Sequence, residues 1–299
     1  MQQSKKNKLQ GSIFLLLGTV IWGFSFIAQS VGMAQMGPFA FQSIRCLLAV
    51  LFLLPITLAF DRGDWRASMQ KWKNPQLWRV GLICGCALFA AATLQQLGLL
   101  YTDAGKAGFL TAMYIVLVPI IGLFRRKKPN RATLFSVALA VVGLYLLSCM
   151  GAAGINRGDL LLLGCALAFS VQINCIDALA GSLDGIRLNC IQCLVVAVLS
   201  APFALALETV RLENILACWL PLAYAGILTM GVAYTLQILG QKRLEPTTAS
   251  LIMSLESVFA ALGGWLILHE TMTPWETLGS CLVFTAVVVS QLPDRAAQK

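Results

Sequence analysis

Apolar residues fill long, nearly unbroken stretches of this chain, and turn-forming or charged residues such as Gly37-Pro38 and Lys128-Pro129-Asn130 separate them. A helix needs about 20 apolar residues to cross a hydrocarbon core of roughly 30 Å, and only helices or closed barrels satisfy every backbone polar group there. The stretches have helical rather than strand length, so we expect an all-α membrane protein with ten transmembrane helices. The predicted bounds are 11–34, 39–60, 78–101, 105–124, 131–149, 158–178, 185–207, 215–240, 246–268 and 273–292.

Composition supports lipid as the solvent of this chain. Apolar residues make up 58% of its 299 residues and charged residues only 12%, whereas charged residues average about a quarter of a soluble protein. The first apolar run is too long for a cleaved signal peptide and is interpreted as the first span.

The net charge of +9 could suggest a nucleic-acid partner, but the distribution of the basic residues argues against one. With the N-terminus inside, eighteen of the 22 Lys and Arg residues fall in segments on the cytoplasmic side. Basic residues concentrate in this way in cytoplasmic loops of membrane proteins. The asymmetry supports the ten-span count, places both termini in the cytoplasm, and indicates no binding of nucleic acid.

Motifs for enzyme chemistry are missing from the sequence. His269 is the only histidine, and most of the ten cysteines lie singly within apolar spans, so no metal-ligand spacing arises. There is also no HExxH motif, no Walker motif, and no nucleophile with a nearby histidine. The sequence therefore predicts neither an enzyme nor a cofactor.

The two halves of the chain repeat each other. A segment from Gly11 to Leu17 opens the first half, a similar one from Gly158 to Gly164 opens the second, and Pro55 and Pro202 end corresponding spans 147 residues apart. Five spans per half is an odd number, so the halves enter the membrane from opposite sides. We expect two inverted five-helix repeats, 1–149 and 150–299, which can alternate access to a site between them.

Several motifs also carry a resemblance to a known family. They are Ile21-Trp22-Gly23-Phe24-Ser25-Phe26, Gly37-Pro38-Phe39-Ala40-Phe41 with Arg45, Leu255-Glu256-Ser257-Val258-Phe259-Ala260-Ala261, and His269-Glu270-Thr271-Met272-Thr273 followed by Gly279. In order and spacing they are similar to the EamA-like ten-helix members of the drug/metabolite transporter superfamily, although Ser257 and His269 depart from the usual Pro and Gly.

The resemblance implies a secondary-active transporter in the bacterial inner membrane. It points to export of amino acids, related small metabolites or drug-like organic compounds, with protons as a candidate coupling ion. A carrier of nucleotide sugars or lipid-linked substrates, and a membrane scaffold that transports nothing, are the alternatives.

Two ionisable residues, Arg45 and Glu256, lie deep within predicted spans. A charge at the bilayer centre costs about 2.5 to 3.5 kcal/mol on insertion scales, so both should face the protein interior. Glu256 is a candidate proton carrier or ligand for a cationic group, and Arg45 is a candidate ligand for an anionic group. The structural alternative is that each ties neighbouring helices together by hydrogen bonds. Their depths differ by roughly 10 Å at 1.5 Å per residue, so no direct pair is assumed.

Neutral polar and aromatic residues within the spans complete the candidate site, and they predict a polar cavity with aromatic walls for a small amphipathic metabolite. Each could instead form a hydrogen bond between helices. Gly81 and Gly85 form a GxxxG pattern that indicates close packing within the protein, so a monomer is favoured over a dimer. The candidate lining residues are Trp22, Gln29, Gln95, Tyr114, Asn174, Gln192, Tyr234 and Gln237.

Overall fold

The computed structural model describes residues 2–102, 104–126, 129–148, 156–267 and 272–291, and within these ranges every regular element is a helix. Residues Tyr224–Ala233 form a π-helix. His269, which belongs to one of the sequence motifs, lies outside the described residues. The α-helices are α1 (Gln2–Met33), α2 (Pro38–Phe60), α3 (Trp65–Trp72), α4 (Pro75–Leu99), α5 (Ala104–Ala112), α6 (Tyr114–Phe124), α7 (Arg131–Ser148), α8 (Arg157–Leu179), α9 (Gly185–Leu207), α10 (Leu212–Ala217), α11 (Trp219–Ala223), α12 (Tyr234–Gln241), α13 (Pro246–Met253), α14 (Glu256–Ile267) and α15 (Pro274–Ser290).

Helix starts follow ordinary capping chemistry. Proline occupies the first turn of α2, α4, α13 and α15, where its missing N–H has no intrahelical acceptor to lose. Asn156 and Asp159 form a capping box at α8, and Thr273 and Glu276 form another at α15. These local signals place the helix starts close to the predicted ones.

Seven helical segments of the described chain are long and apolar enough to cross a membrane. Two shorter apolar helices, Arg131–Leu147 and Pro274–Ser290, add to them. Large apolar side chains such as Leu51, Phe124 and Leu205 are exposed on the outside of the molecule, as expected where lipid is the solvent. The protein is therefore a multi-pass helical membrane protein.

Two of the predicted spans are interrupted near their centres. The fourth breaks into α5 and α6 at Met113, and the ninth breaks into α13 and α14 at Ser254 and Leu255. At both breaks the backbone forms tight i to i+3 hydrogen bonds, from Val116 N to Met113 O and from Ser257 N to Ser254 O. Each break creates a helix N-terminus inside the bundle.

Close helix packing depends on glycine. An added Cβ at Gly81 would lie 2.5 Å from Ile191, and one at Gly85 would lie 2.7 Å from Val195, so the GxxxG pattern of α4 packs on α9 of the same chain. In three further pairs of glycines, a Cβ added to either residue would meet the backbone oxygen of the other at 3.2 Å or less. These pairs are Gly11 with Gly240, Gly98 with Gly158, and Gly143 with Gly279.

At the face where α1 begins, hereafter the basic face, a buried arginine joins α9 to α2. Arg187 has an exposed fraction of 1% and forms ion pairs with both Asp61 and Asp184. Its guanidinium also donates to Ser68 Oγ at 3.0 Å and lies 5.6 Å from the ring centroid of Trp72. We call this cluster the inner clasp, because it fastens the start of α9 to the end of α2 and to α3.

At the opposite face a carboxylate joins the same two helices. Glu208, which follows α9, accepts hydrogen bonds from the backbone N–H groups of Phe39 at 2.9 Å and Ala40 at 2.8 Å. A carboxylate is favourable there because the first N–H groups of a helix have no intrahelical acceptor. This outer clasp fastens the end of α9 to the start of α2, and Glu208 follows Asp61 by 147 residues.

The inner clasp predicts a specific pH dependence of stability. Lys71, which donates to Asp61, and the neighbouring Arg187 hold the pKa of Asp61 down, from 3.8 to about 2. Because its pKa is lower in the folded state, the ionised Asp61 stabilises the fold fully above about pH 4. This stabilisation is lost as the pH falls toward 2. Asp61→Asn should therefore lower the thermal unfolding temperature in detergent at pH 7, and its deficit relative to wild type should shrink as the pH falls below 4. Glu213→Gln, at an exposed position, is the control; a deficit that stays constant with pH would contradict this role.

Candidate functional site

A central cavity lies where the two predicted halves meet. Its walls enclose about 520 Å³ free of protein atoms, the open mouth included. Helices α1, α2, α4 and α6 contribute from the first half, and α8, the π-helix and α12–α14 contribute from the second. The lining residues are Trp22, Ser25, Phe26, Gln29, Arg45, Gln95, Tyr114, Phe169, Ile173, Thr229, Met230, Tyr234, Gln237, Met253 and Glu256.

Eight of the ten candidate residues from the sequence line this one cavity. They include both deep ionisable residues, and they come from six different helices, α1, α2, α4, α6, α12 and α14. The eight are Trp22, Gln29, Arg45, Gln95, Tyr114, Tyr234, Gln237 and Glu256.

Glu256 owes its position to the break in the ninth span. It is the first residue of α14, its exposed fraction is 7%, and its Oε1 accepts a hydrogen bond from the hydroxyl of Tyr114 at 3.2 Å. Tyr114 is in turn the first residue of α6. The two helix breaks thus bring one residue from each half into direct contact. No cation lies within 4 Å of the Glu256 carboxylate among the residues that the structure describes.

Arg45 stands on the uninterrupted helix α2. Its exposed fraction is 2%, and its guanidinium lies 5.6 Å from the ring centroid of Phe41. Within the described ranges its Nε has no hydrogen-bond partner and no carboxylate lies within 4 Å of it. A buried charge without an opposite charge is costly, so a cavity that holds two of them, of opposite sign, is suited to a ligand that carries both complementary charges.

Aromatic rings form the rest of the wall. The rings of Trp22 and Tyr234 lie 5.0 Å apart with an interplanar angle of 64°, and those of Tyr114 and Phe169 lie 6.4 Å apart at 70°. Edge-to-face contacts of this kind hold aromatic side chains in a fixed geometry. The cavity therefore combines two charges with rigid apolar walls.

Asn174 and Gln192 do not line the cavity. Asn174 Nδ2 donates to Ser170 O at 2.9 Å and to Val118 O at 3.3 Å, which links α8 to α6. Gln192 Oε1 accepts from Gln172 Nε2, and Gln172 Oε1 accepts from Gln237 Nε2, both at 3.1 Å. Gln192 thus lies behind Gln237 at the end of a chain of amides. Any part of these two residues in function stays a prediction.

Sequence reasoning missed several residues of the site. Phe169, Ile173, Met230 and Met253 line the cavity, but apolar residues within apolar spans carry no signal of their own. Gln172 could have been found, because it is an amide within a span. In the described part of the chain, no group of three or more His, Cys, Asp or Glu side chains could hold a metal ion.

Comparisons with known proteins agree with this architecture. The EamA-like transporter family matches residues 9–149 and again residues 156–291. An uncharacterised transporter of Archaeoglobus fulgidus is 34% identical over 95% of this chain and 87% of its own length. The threonine/homoserine exporter RhtA of Escherichia coli K12 is 27% identical over 96% of this chain and 92% of its own. A solved crystal structure with 18% identity superimposes with a TM-score of 0.82 over 97% of this chain and 99% of that chain, which shows a shared fold.

The family match covers nearly the whole chain, and the relatives align along most of their own length. The resemblance inferred from the sequence motifs is thereby confirmed. This chain belongs to the EamA-like transporter family.

Proposed function

We propose that this transporter is a secondary-active exporter of zwitterionic amino acids and related small organic metabolites. The observation that carries the proposal is the pair of unpaired, opposite charges of Arg45 and Glu256 in one cavity. An α-carboxylate would bind the Arg45 guanidinium, and an α-ammonium would bind Glu256. Bonds of this kind, between ionised groups, are the strongest hydrogen bonds in proteins. The rings of Trp22 and Tyr234 would enclose the side chain of the substrate.

The mechanism proposed is alternating access by two inverted five-helix halves, 1–149 and 150–299, which together form ten transmembrane helices. Helix packing supports a two-fold relation between the halves. Helix α4 packs on α8, and its counterpart, the π-helix with α12, packs on α1; α2 packs on α9, and α7 packs on α15. The same two-fold relation maps the glycine pair Gly11–Gly240 onto the pair Gly98–Gly158. Repeats of this type build carriers with a site between the halves.

The proposed orientation has the basic face in the cytoplasm of a bacterial cell, with both termini on that side. Residues such as Lys71, Arg125, Arg187, Lys242 and Arg243 lie at this face, in agreement with the positive-inside rule. Export would then carry the substrate from the basic face to the face of the outer clasp.

Proton coupling is part of the proposal, with Glu256 as the carrier. A carboxylate that binds either a proton or the substrate ammonium, but not both, couples the movement of one to that of the other. Its hydrogen bond to Tyr114 OH at 3.2 Å gives the ionised form a donor while the cavity is empty.

A ligand screen with the purified protein tests the substrate class. L-threonine, L-homoserine, other amino acids, nucleotide sugars and amphiphilic drugs are each added while thermal unfolding is followed. An amino acid at 100 times its Kd should add about 2.7 kcal/mol to the native state, and Arg45→Met should abolish the shift by removing the partner of the α-carboxylate. Efflux of the same amino acid from proteoliposomes checks transport. Stabilisation by nucleotide sugars alone would contradict the proposal. So would the absence of any shift in unfolding temperature with every compound tested, which is the result expected of a scaffold.

A further inference from the structure

A second cavity opens at the basic face, directly beyond the central one. Its walls come from α1, from the ends of α8 and α12, and from the segment that leads into α13, and they enclose about 670 Å³ free of protein atoms, open solvent included. We call it the entry cavity. Its lining residues are Lys8, Ile176, Asp177, Gly181, Gln241, Lys242, Arg243, Leu244 and Glu245.

Gln241 is the unusual member of this lining. Its exposed fraction is 2%, yet among the described residues neither its Oε1 nor its Nε2 has a hydrogen-bond partner. A buried polar group without a partner is costly, and such groups in native proteins are normally satisfied. The two polar atoms of this amide are buried, and a rotation of the side chain toward the cavity would offer both a donor and an acceptor to a molecule bound there.

The charged groups around Gln241 are held in place by the fold. Lys242 Nζ donates to Leu183 O, and Arg243 Nη1 donates to Leu239 O. Asp177 pairs with Arg125 Nη1 at 2.7 Å. With Lys8 and Glu245 added, the lining presents both signs of charge, as the central cavity does. A lining with both signs favours a zwitterion over a simple anion or cation.

Two helices run along both cavities. On α12, Gln237 lines the central cavity and Gln241 lines the entry cavity, one turn and roughly 6 Å further along. On α8, Ile173 lines the central cavity and Ile176 lines the entry cavity. The two cavities are therefore successive chambers along the same pair of helices.

We propose that the entry cavity is a second binding site for the zwitterionic substrate, occupied before the substrate reaches Arg45 and Glu256, with the Gln241 amide as its principal uncharged ligand. This inference rests on the proposed function. The substrate carboxylate accepts from Gln241 Nε2 and from the nearby cations, and its ammonium donates to Gln241 Oε1 and to the Glu245 carboxylate.

Thiol labelling tests the entry site separately from the central one. Leu244→Cys places a reporter in the entry cavity and leaves the Gln241 side chain in place. The detergent-solubilised variant is treated with a charged methanethiosulfonate reagent, with and without saturating L-threonine, and the same treatment of wild type gives the background of native cysteines such as Cys175. L-threonine at about ten times its Kd should slow labelling about tenfold, because only the unoccupied fraction of the protein reacts. Protection should persist when Glu256→Gln is added and disappear when Gln241→Leu is added.

The opposite pattern overturns the inference. Protection that is lost with Glu256→Gln but kept with Gln241→Leu would mean that the reporter senses only the central cavity. If Gln241→Leu does not fold, Gln241→Asn moves the amide by one methylene and should still weaken protection, whereas Gln70→Leu, at an exposed position on α3, should not. If wild type neither transports L-threonine nor is stabilised by it, the proposed function fails for this substrate and the entry site fails with it; if wild type transports it but Leu244→Cys shows no protection, only the entry site fails.

Discussion

Replacing Glu256 by glutamine is expected to lower kcat/KM for amino-acid efflux about 10- to 100-fold, the largest loss of activity that we predict for a conservative change. The substitution keeps the size of the side chain and its acceptor for Tyr114 OH, which lies 3.2 Å away. It removes the negative charge that would bind the substrate ammonium or a proton. A hydrogen bond to a charged group contributes about 1.5 to 3 kcal/mol, which corresponds to this range. Initial rates from proteoliposomes at several pH values are the measurement.

Two further variants make the result specific. Glu213→Gln removes a carboxylate at an exposed position and should leave the rate unchanged. Tyr114→Phe removes only the hydroxyl that donates to Glu256 and should lower kcat/KM less than Glu256→Gln does. Glu256→Gln should also abolish the coupling of efflux to a pH gradient. A folded Glu256→Gln protein with the rate and pH profile of wild type would refute both proposed roles of this carboxylate.

Gly279→Val is expected to have the largest effect on stability. An added Cβ at Gly279 would lie 2.5 Å from the backbone oxygen of Gly143 and 2.6 Å from the backbone nitrogen of Leu147. Both are backbone atoms, so no side chain can rotate away and α7 must separate from α15. Overpacking in a close-packed interior costs about 1 to 3 kcal/mol, and occasionally more; with backbone on both sides we expect the upper end or beyond. The yield of monodisperse protein and its unfolding temperature give the readout.

Gly164→Ala is the matched control for that experiment. An added Cβ there would meet only the Cδ1 atom of Leu94, at 3.4 Å, and alanine favours helix by up to about 1 kcal/mol relative to glycine. Stability should be unchanged or slightly higher. Equal losses for the two variants would mean that contact between α7 and α15 is not what limits residue size at position 279.

The predicted spans match the helices well where turn chemistry marks their ends, and less well inside apolar stretches. Pro38, Pro246 and Pro274 mark helix starts that lie close to the predicted ones. The break at Met113 lies in a run, 109–118, without glycine, proline or charge, and the break at Ser254 has only the charge of Glu256 beside it, which does not by itself end a helix. They arise from packing in the centre of the bundle, where Tyr114 and Glu256 meet.

The same reasoning explains which site residues could be predicted. Arg45 and Glu256 stand out because a charge within a span needs a polar surrounding, and both line the cavity. Asn174 and Gln192 carry the same kind of signal but make hydrogen bonds between helices instead. Sequence spacing predicts which face of a helix a residue lies on, but not whether its side chain reaches the cavity. An amide that lines the cavity therefore cannot be told from the sequence apart from one that only forms hydrogen bonds between helices.

The two clasps bear on the alternating access proposed above. Alternating access requires one face to loosen while the other is tight, yet α2 and α9 are fastened at both faces in the same state, by Arg187 at one and by Glu208 at the other. In that mechanism α2 and α9 would move together as one unit. The helices around them would then open the cavity at either face. Arg45 belongs to α2 of this pair, whereas Glu256 begins α14, which packs on α1. Arg45, the proposed partner of the substrate carboxylate, would then keep its position through the transport cycle. Glu256, the proposed partner of the ammonium, would change its position.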